Sequence, residues 1–454
     1  MQASKQASKQ ASKQASKHKL KPELPEFSSR RSAGRFPLLS FPLAAAALAI
    51  SLWFAPPFTA SAIAADEFPA GPNATGGYDT IINDAHEYEE VFGNNNRSDA
   101  TVLSGANGNN ITINANTESV YSVYGADIQT TDNITANNNT VTINSGTVKN
   151  DVFGGRAKHE NNEPGTVTAT GNMVNLNGGS VATVIGGVAY NENNDSSAAT
   201  ATAIGNTVNL NGSAVETIIG GAATSPKANT IATANTVNLF SDNNRDVFGG
   251  MAYSSSGTAT ATDNKVNIIS GSVIGAVNGG FADSDSGAVT ATGNIVDFSS
   301  SGSVGNEIFG GLAQTVTGIA TANNNTVTLR SGGVENEVLG GRAETAGSGS
   351  GTATAIGNTV NISGGYVGSG VYGGYVSSGT GGTAATAAGN TVNLSGGRVS
   401  GMVYGGLANV DEFTDNTLNL RAAGLTADMM MPGFQYLNFY LPETFRAGDT
   451  MLNV

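Results

Sequence analysis

The feature that most constrains this chain is a repeat of about 30 residues in which two short signatures recur. Residues 389–408, GNTVNLSGGRVSGMVYGGLA, show both. The first is Asn-x-Val-x-Leu. It occurs eleven times, with its asparagine at Asn109, Asn139, Asn172, Asn206, Asn235, Asn264, Asn294, Asn325, Asn358, Asn390 and Asn416. Two residues on stands Ile, Val or Leu, and two further on a second apolar residue such as Ile113, Leu176, Phe298 or Leu394. The residue between them is Asn, Thr or Asp. That alternation has period two and reads as a short strand with one face buried. In ten of the eleven copies the residue before the asparagine is Gly, Asn or Asp, with Ala234 the exception. Those types tolerate the left-handed backbone, so a sharp bend is expected before each strand.

The second signature is Val-large-Gly-Gly. Nine Gly pairs run from Gly154-Gly155 to Gly405-Gly406, and Val123-Tyr124-Gly125 is a degraded copy. Two residues before the first glycine stands Val or Ile in all ten copies, which marks a buried position. The residue between is larger and varied, and at Asn278 it is polar, which argues against deep core. It admits two readings. One is a stack packed inside a corner. The other is an exposed apolar-aromatic stripe for adhesion or self-association, with Tyr124, Phe153, Phe248, Phe309, Tyr372 and Tyr404 as its binding residues.

A third, Thr/Ala-rich segment precedes the bend, as at Thr166–Thr170 and residues 200–203, 258–262 and 352–355. Its small residues imply a thin part of the cross-section. Three short strands per repeat define an all-β chain, a right-handed parallel β-helix of 10–11 rungs over residues 108–421. One rung cannot stand alone. It buries about three or four large aliphatics worth about 1.5–3 kcal/mol each, against about 1–2 kcal/mol for every residue fixed. Stacking recovers the difference and sets like residues about 4.8 Å apart. Asn172, Asn206, Asn235, Asn264, Asn358 and Asn390 are therefore expected to form a hydrogen-bonded ladder. A propeller needs more residues per blade, and the nonapeptides of an acidic Ca²⁺-binding β-roll are absent.

Composition agrees. There are 61 Gly, 12% charged residues and no cysteine, which suits an exported chain that crosses an oxidising compartment. Residues 1–64 carry nine Lys/Arg and two Glu, whereas the rest carries 12 basic and 33 acidic residues. So acidic a body argues against nucleic acid as a partner. The first 64 residues read as a long signal peptide. A basic low-complexity region is followed by an apolar run from Phe36 to Phe58 and an Ala62-Ile63-Ala64 cleavage site. Arg30-Arg31 is followed by Ser-Ala-Gly rather than the apolar pair of a twin-arginine signal. Residues 65–107 read as an irregular N-terminal cap containing a worn Val91-Phe92-Gly93 arm, and residues 422–454 as an aromatic closing segment.

Catalytic signatures are sparse, and no cofactor, metal or enzymatic site is expected. His86-Glu87 lacks a third ligand and reads as solvated cap, and His159-Glu160 as a surface loop. Ser284-Asp285-Ser286-Gly287 has no supporting His or Asp for a nucleophile. Asp242–Asp246 lacks the Gly and Glu of a Ca²⁺ loop and reads as a turn. Lys149, Arg330 and Arg398 are scattered singly rather than clustered as in polysaccharide-cleaving β-helices.

The long signal peptide, the absence of cysteine and the rungs GNTVNLSGGRV–VYGGLA resemble passenger domains of Gram-negative autotransporters, over residues 36–454. The closing LNFYLPETFRAGDTMLNV looks like the junction where such passengers run toward their outer-membrane barrel, which this chain lacks. The resemblance implies a β-helix exported to the cell surface or beyond. It further implies an adhesive or self-associating role toward a host or bacterial surface ligand. A β-helix enzyme acting on polysaccharide is the alternative.

Overall fold

The computed structural model describes residues 79–453 except 84–87, 94, 97–104, 115–119, 131–132, 160–164, 193–198, 243–244, 348–350, 380–383, 409–411 and 431–432. The signal peptide, His86, Glu87 and Glu160 lie outside the described residues. Those residues hold 42 strands and no helix, from Asp79–Ile82 to Leu452–Asn453. The strands form three parallel sheets of 13, 11 and 18 members. Stacked, they make a β-solenoid of about 10 turns with a repeat of about 31 residues.

The 13-stranded sheet carries the Asn-x-Val-x-Leu strands. Each pairs in register with its copy one turn on, Val174 with Val208 and Leu176 with Leu210, then Val208 with Val237. Period-two alternation points Val208 and Leu210 inward at 0% exposure, where they meet Val184, Ile218 and Val247 of the Gly-Gly sheet. This is the main core. The Gly-Gly strands are long, 12 residues at Ser180–Asn191, and they continue past it. Beyond the glycines, Ala189 and Ala223 face Ala201 and Ala203 of the Thr/Ala sheet in a second, narrower core. Alanine predominates there, with Ile128, Ile134, Val167, Val289 and Val376 as larger members, which is the thin cross-section expected from composition.

The ladder asparagines occupy the waist between the two cores, all at 0% exposure. Asn206 Nδ2 donates to Asn235 Oδ1 at 2.9 Å and to the Ala169 carbonyl at 3.0 Å. The Asn206 backbone N–H reaches the same Asn235 oxygen at 3.0 Å. Asn235 repeats the pattern on Asn264 and Ala203. From Asn172 to Asn390 each amide thus spends both donors and accepts twice, its full capacity. The bend before each asparagine is left-handed in all eleven copies, with φ from 54° at Ala234 to 73° at Gly108. Across the waist the second glycine of each pair lies against the amide. A Cβ on Gly155 would stand 2.5 Å from Asn172 Oδ1, and one on Gly374 2.6 Å from Asn390 Nδ2. The second glycine therefore admits the ladder, while the first leaves room for the carbonyl of its counterpart one turn on, which a Cβ on Gly154 would meet.

The solenoid extends further at both ends than its signatures do. Asp79–Ile82 and Tyr88–Phe92, in the segment read as an irregular cap, pair with the next turn. The Phe92 ring stacks on Tyr124 at 5.0 Å. In the closing segment, Leu425–Met430 pairs with Arg398–Ala408, and Tyr436–Phe439 with Thr417–Leu420. Gln435 Oε1 accepts the Asn416 backbone N–H at 2.8 Å, taking the place of a twelfth ladder oxygen.

The waist gives a paired prediction. Asn235→Ala removes the acceptor of two buried donors on Asn206 and should cost about 3 kcal/mol or more. Ala234→Gly relieves a left-handed alanine and should gain about 1 kcal/mol. Thermal and urea unfolding followed by circular dichroism check both, and equal effects of the two substitutions would contradict the assignment.

Candidate functional site

The Gly-Gly sheet bends at its glycines, and alternation decides what falls inside the bend. The residue before the pair faces away from the main core, and so does the residue after it. Both columns look into one outward concave fold, where they close on each other. Phe248 meets Phe281 with ring centroids 5.9 Å apart, and Tyr372 meets Tyr375 edge-on at 5.8 Å. Along the solenoid, Tyr124 stacks on Phe153 at 5.0 Å and Tyr372 on Tyr404 at 4.9 Å, with Ile185, Ile219 and Leu339 in the same column.

The six residues expected under the exposed-stripe reading are therefore buried. Tyr124 is 5%, Phe153 1%, Phe248 3%, Phe309 0%, Tyr372 9% and Tyr404 9% exposed. The stripe is corrected to an internal stack, because the sheet folds over its own outer face. Asn278 corrects a second expectation. It lies in this column at 0% exposure, in register with Phe248 and Phe309, and neither amide atom has a hydrogen-bond partner. An unpaired buried amide is costly. Asn278→Leu keeps the volume and removes both orphaned atoms, so it should raise stability by about 1–3 kcal/mol in denaturant melts.

Charged side chains in this fold are ion-paired arginines and acids whose ionisation burial disfavours. Arg156 holds buried Asp127 bidentately, at 2.7 and 2.8 Å, and lies 4.6 Å over the Tyr124 ring. Arg342 bonds Glu344 at 2.8 Å through Nε and lies over the Tyr375 and Phe309 rings. Five carboxyls flank the fold. Burial pushes Asp283 up to about 7, with Asp285 adding repulsion. Burial pushes Asp151 up to about 6 against the opposing pull of Thr183 and Arg156. Burial likewise raises Asp246, Glu307 and Glu337.

Acids raised in the fold bind protons more tightly there than in the unfolded chain. Their contribution is fully present below their ordinary value of 3.8 and is lost as pH rises through about 6 and 7. The melting temperature should therefore be higher at about pH 5 than at about pH 8, and Asp283→Asn should narrow the gap by raising the alkaline value. Calorimetry at both pH values checks the sign, and a higher melting temperature at the alkaline pH would reverse it.

The other residues singled out by sequence find structural places. His159 ends the strand Thr147–His159 and is buried at 0%, packed where a Cβ on Gly165 would meet its ring, not on a surface loop. Ser284 bonds the Gly257 carbonyl at 3.1 Å and accepts the Gly287 N–H at 2.9 Å. Ser254 and Thr315 do the same one turn either side, so Ser284 stitches a turn. Asp242 and Asp246 each accept a backbone N–H from the next turn, at 2.8 Å. Arg330 pairs with Asp297 on the outer face of the Asn sheet at 3.0 Å. No group of three or more His, Asp or Glu among the described residues could hold a metal.

Sequence reasoning missed a second ladder. On the outer face of the Asn sheet, Asn209 Nδ2 donates to Asn175 and Asn238 to Asn209, both at 2.8 Å, and Asn267 to Asn238 at 2.7 Å. The signal was present in the polar residue between the two apolar positions of each strand. No known protein family matches the chain, and neither does any curated protein or solved structure.

Proposed function

We propose that this chain is an exported, surface-displayed or secreted β-solenoid of the autotransporter-passenger kind, serving as a structural and adhesive element. The observation that carries the reading is the unbroken inter-turn ladder. Eleven asparagines commit the interior to elongation, and no recurring interior residue is left over for chemistry. The basic-apolar leader with its small-residue site supports export. The low charge and the Thr/Asn-rich outer faces suit broad, weak contact with a surface rather than capture of a small molecule. With the aromatic column buried, attachment falls to those outer faces and to the loops between turns.

Fused after Val454 to an outer-membrane barrel, the full chain should reach the surface of a Gram-negative host. There it should be cleaved by protease added to intact cells and should make the cells clump or adhere. A fused chain that is exported and folded but leaves adhesion unchanged would overturn the adhesive role.

The five raised carboxyls beside the concave fold favour one second reading, a glycan-acting enzyme. That reading requires turnover of a polysaccharide that is lost in Glu307→Gln or Asp283→Asn while the fold persists.

A further inference from the structure

The outer face of the Thr/Ala sheet differs from the rest of the surface. Across nine strands, from Ile134–Asn137 to Ala384–Ala388, its outward residues are Thr, Asn, Ile and Ala, with no charge and no aromatic ring. The chain as a whole has net charge −14. The central outward position is threonine in eight of the nine strands, Ile231 being the exception. These strands pair without a register shift, so Thr168, Thr202, Thr260, Thr290, Thr321 and Thr354 belong to one straight column. Thr or Asn stands two residues away on both sides in four of the nine strands and on one side in four more. The spacing is about 4.8 Å between strands and about 6.6 Å along them. Threonine is stiff at χ1, so methyl and hydroxyl repeat as fixed rows.

A second observation separates this face from the Asn sheet. There the outward amides hydrogen-bond one another, and Lys265 and the Asp297–Arg330 pair interrupt the array. The six central threonine hydroxyls bond to no other described residue. They form one regular column of hydroxyls that no protein group engages, open to solvent or to a partner laid against the face. A flat array without a cavity gains little from a small solute, since each lattice point offers one weak contact. It gains much from a partner that is itself flat and periodic, because many such contacts act together. Crystalline polysaccharide is recognised through aromatic platforms, and mineral, nucleic acid and anionic membrane through charge; this face has neither.

We propose that the threonine face binds ice, seating hydroxyl and methyl rows on the oxygen lattice of a crystal plane, whose repeats fall on the same length scale. The inference is independent of export and of cell attachment.

The purified full chain, cooled with a single ice crystal, should facet the crystal and hold back its growth below the melting point. It should also be taken up into slowly growing ice. Thr260→Lys with Thr290→Lys should abolish all three effects without changing the circular dichroism spectrum or melting temperature. Thr202→Lys with Thr321→Lys provides a second set on the same face should the first perturb the fold. Thr359→Lys with Thr391→Lys, on the Asn sheet, should leave the effects intact. Round crystals and exclusion of the folded protein from ice would overturn the proposal. So would equal loss in the Asn-sheet variant, or threonine-dependent binding to crystalline cellulose with none to ice.

Discussion

A buried asparagine amide with every hydrogen bond spent is what the rest of this solenoid is built around. At the waist, each amide from Asn172 to Asn390 accepts two N–H groups from the turn before, donates to the oxygen of the turn after, and donates again to an alanine carbonyl. Aspartate would place an unpaired charge there, and serine lacks both donors and reach. The left-handed residue before the asparagine turns the amide inward, and the facing glycine leaves room for it. The bend, the asparagine and the second glycine of each pair are three marks of one requirement. The two cores follow from it, because a polar waist divides aliphatic from alanine packing.

Much of this was legible in the sequence where the constraint is local. Period-two alternation gave Val208 and Leu210 as core, and the Gly, Asn or Asp before each asparagine gave the bend, which Ala234 adopts despite its type. Identical residues at one repeat gave the ladder. What was illegible depends on contacts across the bend. Alternation rightly points Phe153 and Tyr372 away from the main core, but only the folding of the sheet at its glycines buries them against the residues beyond. Asn278 misleads for the same reason, since its polarity suggested a wet site while its neighbours in register are phenylalanines. The end turns were hard to see because they keep strand pairing while losing the signatures, all but the worn Val91-Phe92-Gly93 arm at the N-terminal end. Gln435 acts for an asparagine with a different reach and spacing.

The regularity of the interior also decides where chemistry can occur. Every column is shared with the turns above and below, so a charged residue must satisfy itself within one or two turns. Arg156 with Asp127 and Arg342 with Glu344 do so in the concave fold, and Arg330 with Asp297 does so outside. The carboxyls without such a partner are the ones pushed toward neutrality by burial. On the surface the same rule separates the two flat faces. The asparagine face answers its own hydrogen-bonding demand turn by turn, and the threonine face leaves that demand to whatever lies against it.

The inner ladder also has a polarity. Its amides all point their N–H groups toward the C-terminal end, as Asn206 does to Asn235, whereas the outer ladder points the other way, as Asn238 does to Asn209. The two ends of the stack are therefore unequal. A turn laid on the N-terminal side arrives with its donors facing an oxygen already held in place. A turn laid on the C-terminal side keeps two donors waiting for a successor. Because a missing donor bond costs more than an idle lone pair, the C-terminal end of the inner ladder is the one that needs a cap. Gln435 supplies part of that cap by accepting the Asn416 backbone N–H, within a closing turn that pairs Tyr436–Phe439 onto Thr417–Leu420.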